Sequence, residues 1–301
     1  MMMTDGRQET TVDHVVINTL YDMDDAARCL ASVGFCLTPR GYHTLGSINH
    51  LVVLDDSYVE LVGLPRGGDR IRKELLEHPK GINGLVFAED ASDERYTYLT
   101  QRGFRVDPPQ KFSRPVECGE GTFEAEFTAV RLAGDTYPAG RVYFCHHHTP
   151  ELVWREEWRR HANTAYSLAS LSVVSAYPAA DAEAYGKCID RTPERDEDGL
   201  YIRLPANRCL GEHRPMDIRF VSEDAYRGRY GDLCCDGSGR SSYFGAIRLR
   251  VQSMDALVAA IEAADSDVSH VQLSDGALAV GIPLFNCLLE FVEEDHHASK
   301  T

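Results

Sequence analysis

Apolar and polar positions alternate over the first stretch of the chain, change to a helical period, and then alternate again. In "TVDHVVINT" the strand spacing puts His14, Val16 and Asn18 on one face and Val15, Ile17 and Thr19 on the other. From about Asp22, "DDAARCLASV" has a helical pattern, and Gly34 is placed to end the helix as a left-handed cap. Three strand-like runs follow at 35–39, 48–55 and 57–64, so the predicted order is β-α-β-β-β.

The same order returns. "GINGLVFAED" (81–90) reads as a strand and "SDERYTYLTQRG" (92–103) as a helix closed by Gly103. "TFEAEFTAVRL" (122–132) alternates, and "GRVYFCHHH" (140–148) is a last strand. At the far end "YFGAIRLRV", the helix "SMDALVAAIEAAD" and three short strand runs repeat the series. The region 165–235 opens in the same way with "YSLASLSVVSAYP" and "DAEAYGKCID". Asp25-Ala26 against Asp255-Ala256, and Glu60-Leu61-Val62 against Glu290-Phe291-Val292, share one spacing of 230 residues. The reading is an α+β fold of four related β-α-β-β-β units, paired into two curved mixed sheets. The first half covers 11–148 (units 11–64 and 81–148) and the second 165–294. A connector helix is expected at 149–164, with tails at 1–10 and 295–301. Each unit offers one sheet face to its helix, and two paired free faces curve into a cup, the kind of concavity where ligands bind.

Composition narrows the classes. The 301 residues carry 43% hydrophobic and 26% charged side chains, the signature of a folded globular protein. A net charge of −16 argues against nucleic acid, which needs clustered cations; the densest basic stretch, Trp154 to His161, is interrupted by Glu156 and Glu157. No apolar run is long enough to span a bilayer. The N-terminus has no signal-like apolar segment. Nine cysteines without a C-x-x-C pair suit free thiols, so a cytoplasmic setting is expected.

With "VDHVV" opening the first unit and "YVELV" closing it, the chain resembles the vicinal oxygen chelate superfamily. Residues 34–63, "GFCLTPRGYHTLGSINHLVVLDDSYVELVG", and 145–165, "CHHHTPELVWREEWRRHANTA", resemble its glyoxalase-like branch. The likeness is good over 11–165 and carried mostly by element order beyond. It implies a glyoxalase/bleomycin-resistance/dioxygenase-like fold with a divalent metal in the cup, held by side chains of first and last strands. Strand parity offers candidates. Glu60 with Tyr58 lies opposite Val59 and Leu61; Tyr143, Cys145 and His147 lie opposite Val142 and Phe144. His14, Glu60 and His147 then form two imidazoles and a carboxylate, a set that suits Zn, Mn, Fe, Co or Ni with open positions. The fourth position implied by the resemblance falls near Asn83 or Gly84, neither a strong ligand.

Around this set, Arg40 and His43 could orient an anionic or carbonyl substrate, or simply form a turn with a surface arginine. Trp154 and Trp158, four apart in "TPELVWREEWRRH", could form an aromatic wall or pack a connector helix. Glu290 matches Glu60 but lacks histidine partners, so the second cup reads as scaffold or a metal-free pocket. The resemblance implies a metal-dependent isomerase or lyase acting on a small oxygen-bearing substrate through an enediolate or alkoxide. Glu60 or a metal-bound water would move a proton, and Tyr58 and Tyr143 could donate. The alternatives are a metal-free small-molecule binding or resistance protein of the same fold, or a non-haem iron dioxygenase. The expected partner is a small molecule, not nucleic acid or membrane, and the chain would be a monomer or homodimer.

Overall fold

The helix anticipated after Asp22 ends where its glycine requires. It spans Met23–Ser32 (α1), and Gly34 follows at φ +87°. The Phe35 N–H donates to the Leu30 carbonyl at 3.2 Å and the Gly34 N–H to the Ala31 carbonyl at 2.9 Å. These are the paired bonds of a Schellman cap, closed by the buried contact of Phe35 with Leu30. A computed structural model of the chain describes residues 9–67, 71–119, 121–206, 214–264 and 268–294.

Helix α1 follows β1 (Val12–Leu20) and precedes β2 (Gly41–Tyr42), β3 (Ile48–Val53) and β4 (Tyr58–Gly63). The second unit comprises β5 (Gly81–Ala88), α2 (Ser92–Gln101), β6 (Gln110–Cys118), β7 (Gly121–Arg131) and β8 (Arg141–His147). These eight strands form one sheet in the order β2-β3-β4-β1-β5-β8-β7-β6. Within each unit the first and last strands are parallel, and β1 joins β5 antiparallel at the seam.

The second half repeats the plan. It contains β9 (Ala165–Ser175), α3 (Pro178–Ile189), β10 (Glu194–Asp196), β11 (Gly199–Leu204) and β12 (Met216–Val221). After α4 (Glu223–Tyr230), which stands where the first half has the 3-10 turn Lys73–Glu77, come β13 (Ser242–Val251), α5 (Met254–Ala263), β14 (Ser269–Gln272), β15 (Leu278–Ile282) and β16 (Cys287–Glu293). Its sheet order, β10-β11-β12-β9-β13-β16-β15-β14, matches the first strand for strand. The fold is therefore α+β, with two curved mixed sheets. Among the described residues, no helix is long and apolar enough to cross a membrane.

Apolar side chains sort by strand parity. Val15, Ile17, Val59, Leu61, Val142 and Phe144 join one cluster with their counterparts from the second sheet and the inward faces of the helices. The Phe35 and Phe291 rings meet across the halves at 6.0 Å, and Tyr137 and Tyr185 at 4.2 Å. The opposite strand faces form two further clusters, one in each cup: Val16, Tyr58, Phe127 and Tyr143 in the first, Val174, Tyr226 and Leu288 in the second.

Two expectations change. The run 35–39 is not a strand: Pro39 has no N–H for a ladder, and Thr38 is instead tied to Leu51 through its backbone and hydroxyl. The expected connector helix is two short 3-10 turns, Pro150–Leu152 and Glu156–Trp158. Val153 and Trp158 are both buried, yet at ~100° per residue they would sit about 140° apart around a helix, so one helix could not bury both. The tails lie outside the described residues except Glu9 and Thr10, and Thr10 is buried against Arg95.

A methyl group at Gly34 would stand 2.9 Å from Ala260 Cβ and 3.0 Å from the Asn163 backbone nitrogen, in a left-handed conformation. Gly34→Ala should therefore cost about 1–3 kcal/mol of stability, seen as a lower urea midpoint with an unchanged slope.

Candidate active site

The floor of the first cup is set by an irregularity in β1. Across the seam Val12 pairs with Phe87 and His14 with Val86, leaving Asp13 as an extra residue. Such a bulge re-aims side chains. Asp13, buried at 1% exposure, turns towards the cup beside His14 instead of away from it. Its Oδ2 accepts the His14 Nδ1–H at 2.6 Å and the His147 Nε2–H at 3.0 Å. The Tyr58 hydroxyl lies 3.5 Å from the same oxygen. Burial pushes this carboxyl upwards, but the two imidazoles outweigh it and hold Asp13 well below the usual carboxylate range.

With Nδ1 donating to Asp13, His14 turns its Nε2 into the cup. That atom receives the Tyr143 hydroxyl at 3.2 Å and faces Glu60 Oε2 at 3.7 Å. The Tyr58 ring stacks on the imidazole at 4.3 Å. Glu60 also accepts from Asn49 Nδ2 at 2.8 Å and lies 4.0 Å from His43 Nε2. Burial pushes Glu60 up, while His14, His43 and Asn49 more than offset it, so it stays ionised. Burial raises both phenols, Tyr58 and Tyr143, which remain protonated.

These groups line a narrow cleft in which about 30 Å³ is open to the centre of a water molecule, room for a ligand of a few heavy atoms. His14, Tyr58, Glu60 and Tyr143 form its reactive side, and Leu51, Phe112, Phe127 and Val153 an apolar one. Arg72, Arg114 and Arg131 also line it, and Glu60 is the only carboxylate among the described lining residues. Burial pulls Arg114 and Arg131 below the ordinary guanidinium value.

The residues expected from sequence are not all gathered here. His14, Glu60, Tyr58, Tyr143 and His43 line the cleft. His147 does not: its Nε2 is engaged by Asp13, not directed at Glu60, and its Nδ1 is buried with no hydrogen-bond partner among the described residues. The sheet register explains the difference. His14 is level with Tyr58 on one side of the seam, and Gly84 with Arg141 on the other, so Glu60 has Tyr143 as its counterpart. His147 stands four residues further along β8, about 13 Å at strand rise. Arg40 lies outside the cleft, paired with Asp24 and 3.4 Å from His50. Trp154 packs on His147 at 4.9 Å and on Tyr58 at 5.6 Å, behind the lining.

Would a divalent ion fit these donors? His14 Nε2 and Glu60 Oε2 are nearly as close as two ligands at about 2.1 Å from one ion must be, roughly 3.0–3.4 Å. The His14–Asp13 bond is the outer-shell support that metal-bound histidines use. Gly84 and Tyr143 occupy the other two positions of the cup and leave them to water or substrate. The pair fits an ion with an open coordination sphere. A second possible metal position is the group Asp13, Cys145 and His147, whose ligand atoms lie within 4.8 Å of one another. There, burial raises the Cys145 thiol, and Asp13 is already shared by two imidazoles.

In the second cup, Glu290 is buried at 2% exposure and bonded by Arg229 and the Tyr230 hydroxyl, with Arg248 Nε at 3.3 Å. Arg229 and Tyr230 come from α4, in the connection between β12 and β13, where the first half has the shorter 3-10 turn Lys73–Glu77.

Several residues of the first cup were not foreseen. Asp13 had a signal, an acid directly before His14 inside an apolar strand. Arg114 lies on β6, whose Pro115 disguises an edge strand. Arg131 follows the alternating run "EFTAV".

Comparisons with known proteins agree with this architecture. The sequence model of one family, described as a glyoxalase-like domain, matches residues 12–189. None of the curated proteins matches the sequence. Among solved structures, a hypothetical protein from Staphylococcus aureus superposes with TM-score 0.64 at 11% identity, covering 95% of this chain and 100% of that one. A mutant of 4-hydroxymandelate synthase from Streptomyces coelicolor gives 0.54 at 10% identity, covering 95% and 93%. A xylose isomerase-like TIM barrel/4-hydroxyphenylpyruvate dioxygenase fusion protein gives 0.55 at 11% identity, covering 98% of this chain and 51% of that one. At such identities the likeness is one of fold.

The cleft carries a pH signature. Burial pulls His43 down to about 4; Glu60 opposes this, and the nearby arginines add to it. The unfolded chain, with a histidine near 6.5, then binds more protons than the folded one between those values. Stability is full above pH 6.5 and falls as pH drops towards 4, by up to about 3 kcal/mol from this residue. Urea unfolding from pH 4 to 7 should show a shallower slope for His43→Gln than for the wild type.

Proposed function

Since the chain belongs to the glyoxalase-like family of the vicinal oxygen chelate superfamily, we propose that its first cup is the active site of a metal-dependent enzyme. It would act on a small substrate with two neighbouring oxygens, in an isomerase or lyase reaction. The supporting observation is the approach of His14 Nε2 to Glu60 Oε2, 3.7 Å apart, with the far side of the imidazole fixed by Asp13. His14 and Glu60 would hold the ion. A bound divalent ion supplies Lewis acidity, drawing electron density from the two substrate oxygens.

The chain's own groups account for the remaining roles. Asp13 sets the tautomer of His14 and stops the ring from turning. Glu60, ionised and the only carboxylate among the described lining residues, would take a proton from substrate carbon on releasing the ion. Tyr143 and Tyr58 keep their protons at neutral pH, and Tyr143 is the donor nearest the His14–Glu60 pair. His43, neutral and hydrogen-bonded to Ser47 at 3.0 Å, buttresses Glu60.

A second reading, a metal-free binding protein, is favoured by one observation: three guanidiniums share the cleft with a single carboxylate, and cations repel a cation. Elemental analysis of protein purified without chelator separates the two readings. The enzyme reading expects near-stoichiometric divalent metal in the wild type, its loss in His14→Ala and Glu60→Ala, and roughly 10–100-fold weaker affinity in Asp13→Asn. Metal-free wild type would support the binding protein. Metal lost in His147→Ala but kept in Glu60→Ala would move the site to the Asp13, Cys145 and His147 group.

A further inference from the structure

The chain as a whole is acidic, with 47 Asp and Glu against 31 Lys and Arg, yet its first cup gathers cations. Arg114 is 3% exposed, and its Nη2 has no hydrogen-bond partner among the described residues. Arg131 gives Nη1 to Gln110 at 2.6 Å, while its Nε is buried and unpartnered. Among the described residues neither guanidinium has a carboxylate within ion-pair distance; Arg72 alone of the three is paired, with Glu74. A buried cation without a counter-charge costs several kcal/mol, and structures carry such groups where a ligand completes them.

The sequence makes room for this arrangement. Arg114 reaches the cleft from the edge strand β6 because Gly41, facing it from β2, has no side chain. A Cβ at Gly41 would stand 3.2 Å from Arg114 Nη1 and 2.3 Å from Asn49 Oδ1. Phe112 and Phe127 stack at 5.1 Å beside the guanidiniums, with Arg131 Cζ 5.5 Å from the Phe112 ring centre. The wall is therefore apolar around a cationic point.

We propose that the first cup takes a small organic carboxylate, its carboxyl group held by Arg114, its short hydrocarbon part resting on Phe112 and Phe127, and Arg131 adding positive charge from the same lining. A planar guanidinium fork matches a carboxylate in two parallel bonds, and the narrow cleft admits only a few heavy atoms. This assignment rests on the reading of the first cup as the functional site. It names the class of molecule, not the chemistry done on it.

Titration calorimetry with acetate, propionate, inorganic phosphate and the neutral isostere acetamide tests the assignment. The wild type should bind propionate at least tenfold more tightly than acetamide or phosphate. Arg114→Leu should lose that preference and melt no lower than the wild type, because it removes an unpaired buried charge. Arg131→Met, a second variant, should weaken propionate binding by a similar factor should Arg114→Leu fail to fold. Equal affinity for propionate and acetamide, tighter binding of phosphate, or full retention of propionate binding in both variants would overturn the assignment. Repeating the titrations in EDTA keeps the readings apart. Carboxylate preference that survives chelation, in protein shown to hold no metal, leaves this assignment standing while the metal-dependent reading fails.

Discussion

Asp13 is buried with a negative charge that water cannot reach, so the structure must satisfy it with donors from far along the chain. It does so with His14 beside it and His147, 134 residues away, which ties β1 to β8 across β5. Removing either partner from a buried charged group of this kind typically costs about 3–5 kcal/mol. The arrangement exists only because β1 carries one residue more than β5 at the seam. Everything on the reactive side of the cleft then follows: the orientation of His14, its cup-facing Nε2, and the approach of Tyr143 and Glu60 to it.

Alternation exposed much of this in the sequence and concealed a specific part. Strands β1, β4 and β8 are buried on both faces, so polar residues stand out against apolar neighbours, and parity sends His14, Glu60 and Tyr143 to one side. Parity cannot distinguish Tyr143 from His147, because both lie on the same face of β8. Only the pairing of β5 with β8 sets the level, and register is a long-range property. Asp13 was hidden for a related reason, since a bulge breaks the alternation on which the reading relied. The arginines were harder still. Arg114 comes from a strand interrupted by Pro115, and the β6–β7 pairing sets it opposite Ala125, well along β7 from Arg131, so no spacing in the chain announces that both side chains line one cleft.

The two cups share a plan and differ in electrostatics. In the first, Glu60 faces an imidazole and an amide, groups that can exchange partners with an incoming ligand. In the second, Glu290 stands level with Arg248 on the neighbouring strand and is also gripped by Arg229 and Tyr230 from α4. A carboxylate with two guanidiniums against it has its charge met already. The glyoxalase-like scaffold therefore presents one cup with charges in want of partners and one in which the acid is spoken for.

The apolar cluster behind the sheets has a bearing on how such a protein can change over time. It is common to both halves, built from helix-facing positions, while each cup keeps a smaller cluster of its own. Cohesion and chemistry thus occupy alternate residues of the same strands. Substitutions on one face can retune a lining while the other face keeps the chain folded. Duplication followed by separate divergence of the two cups is a route this partition leaves open.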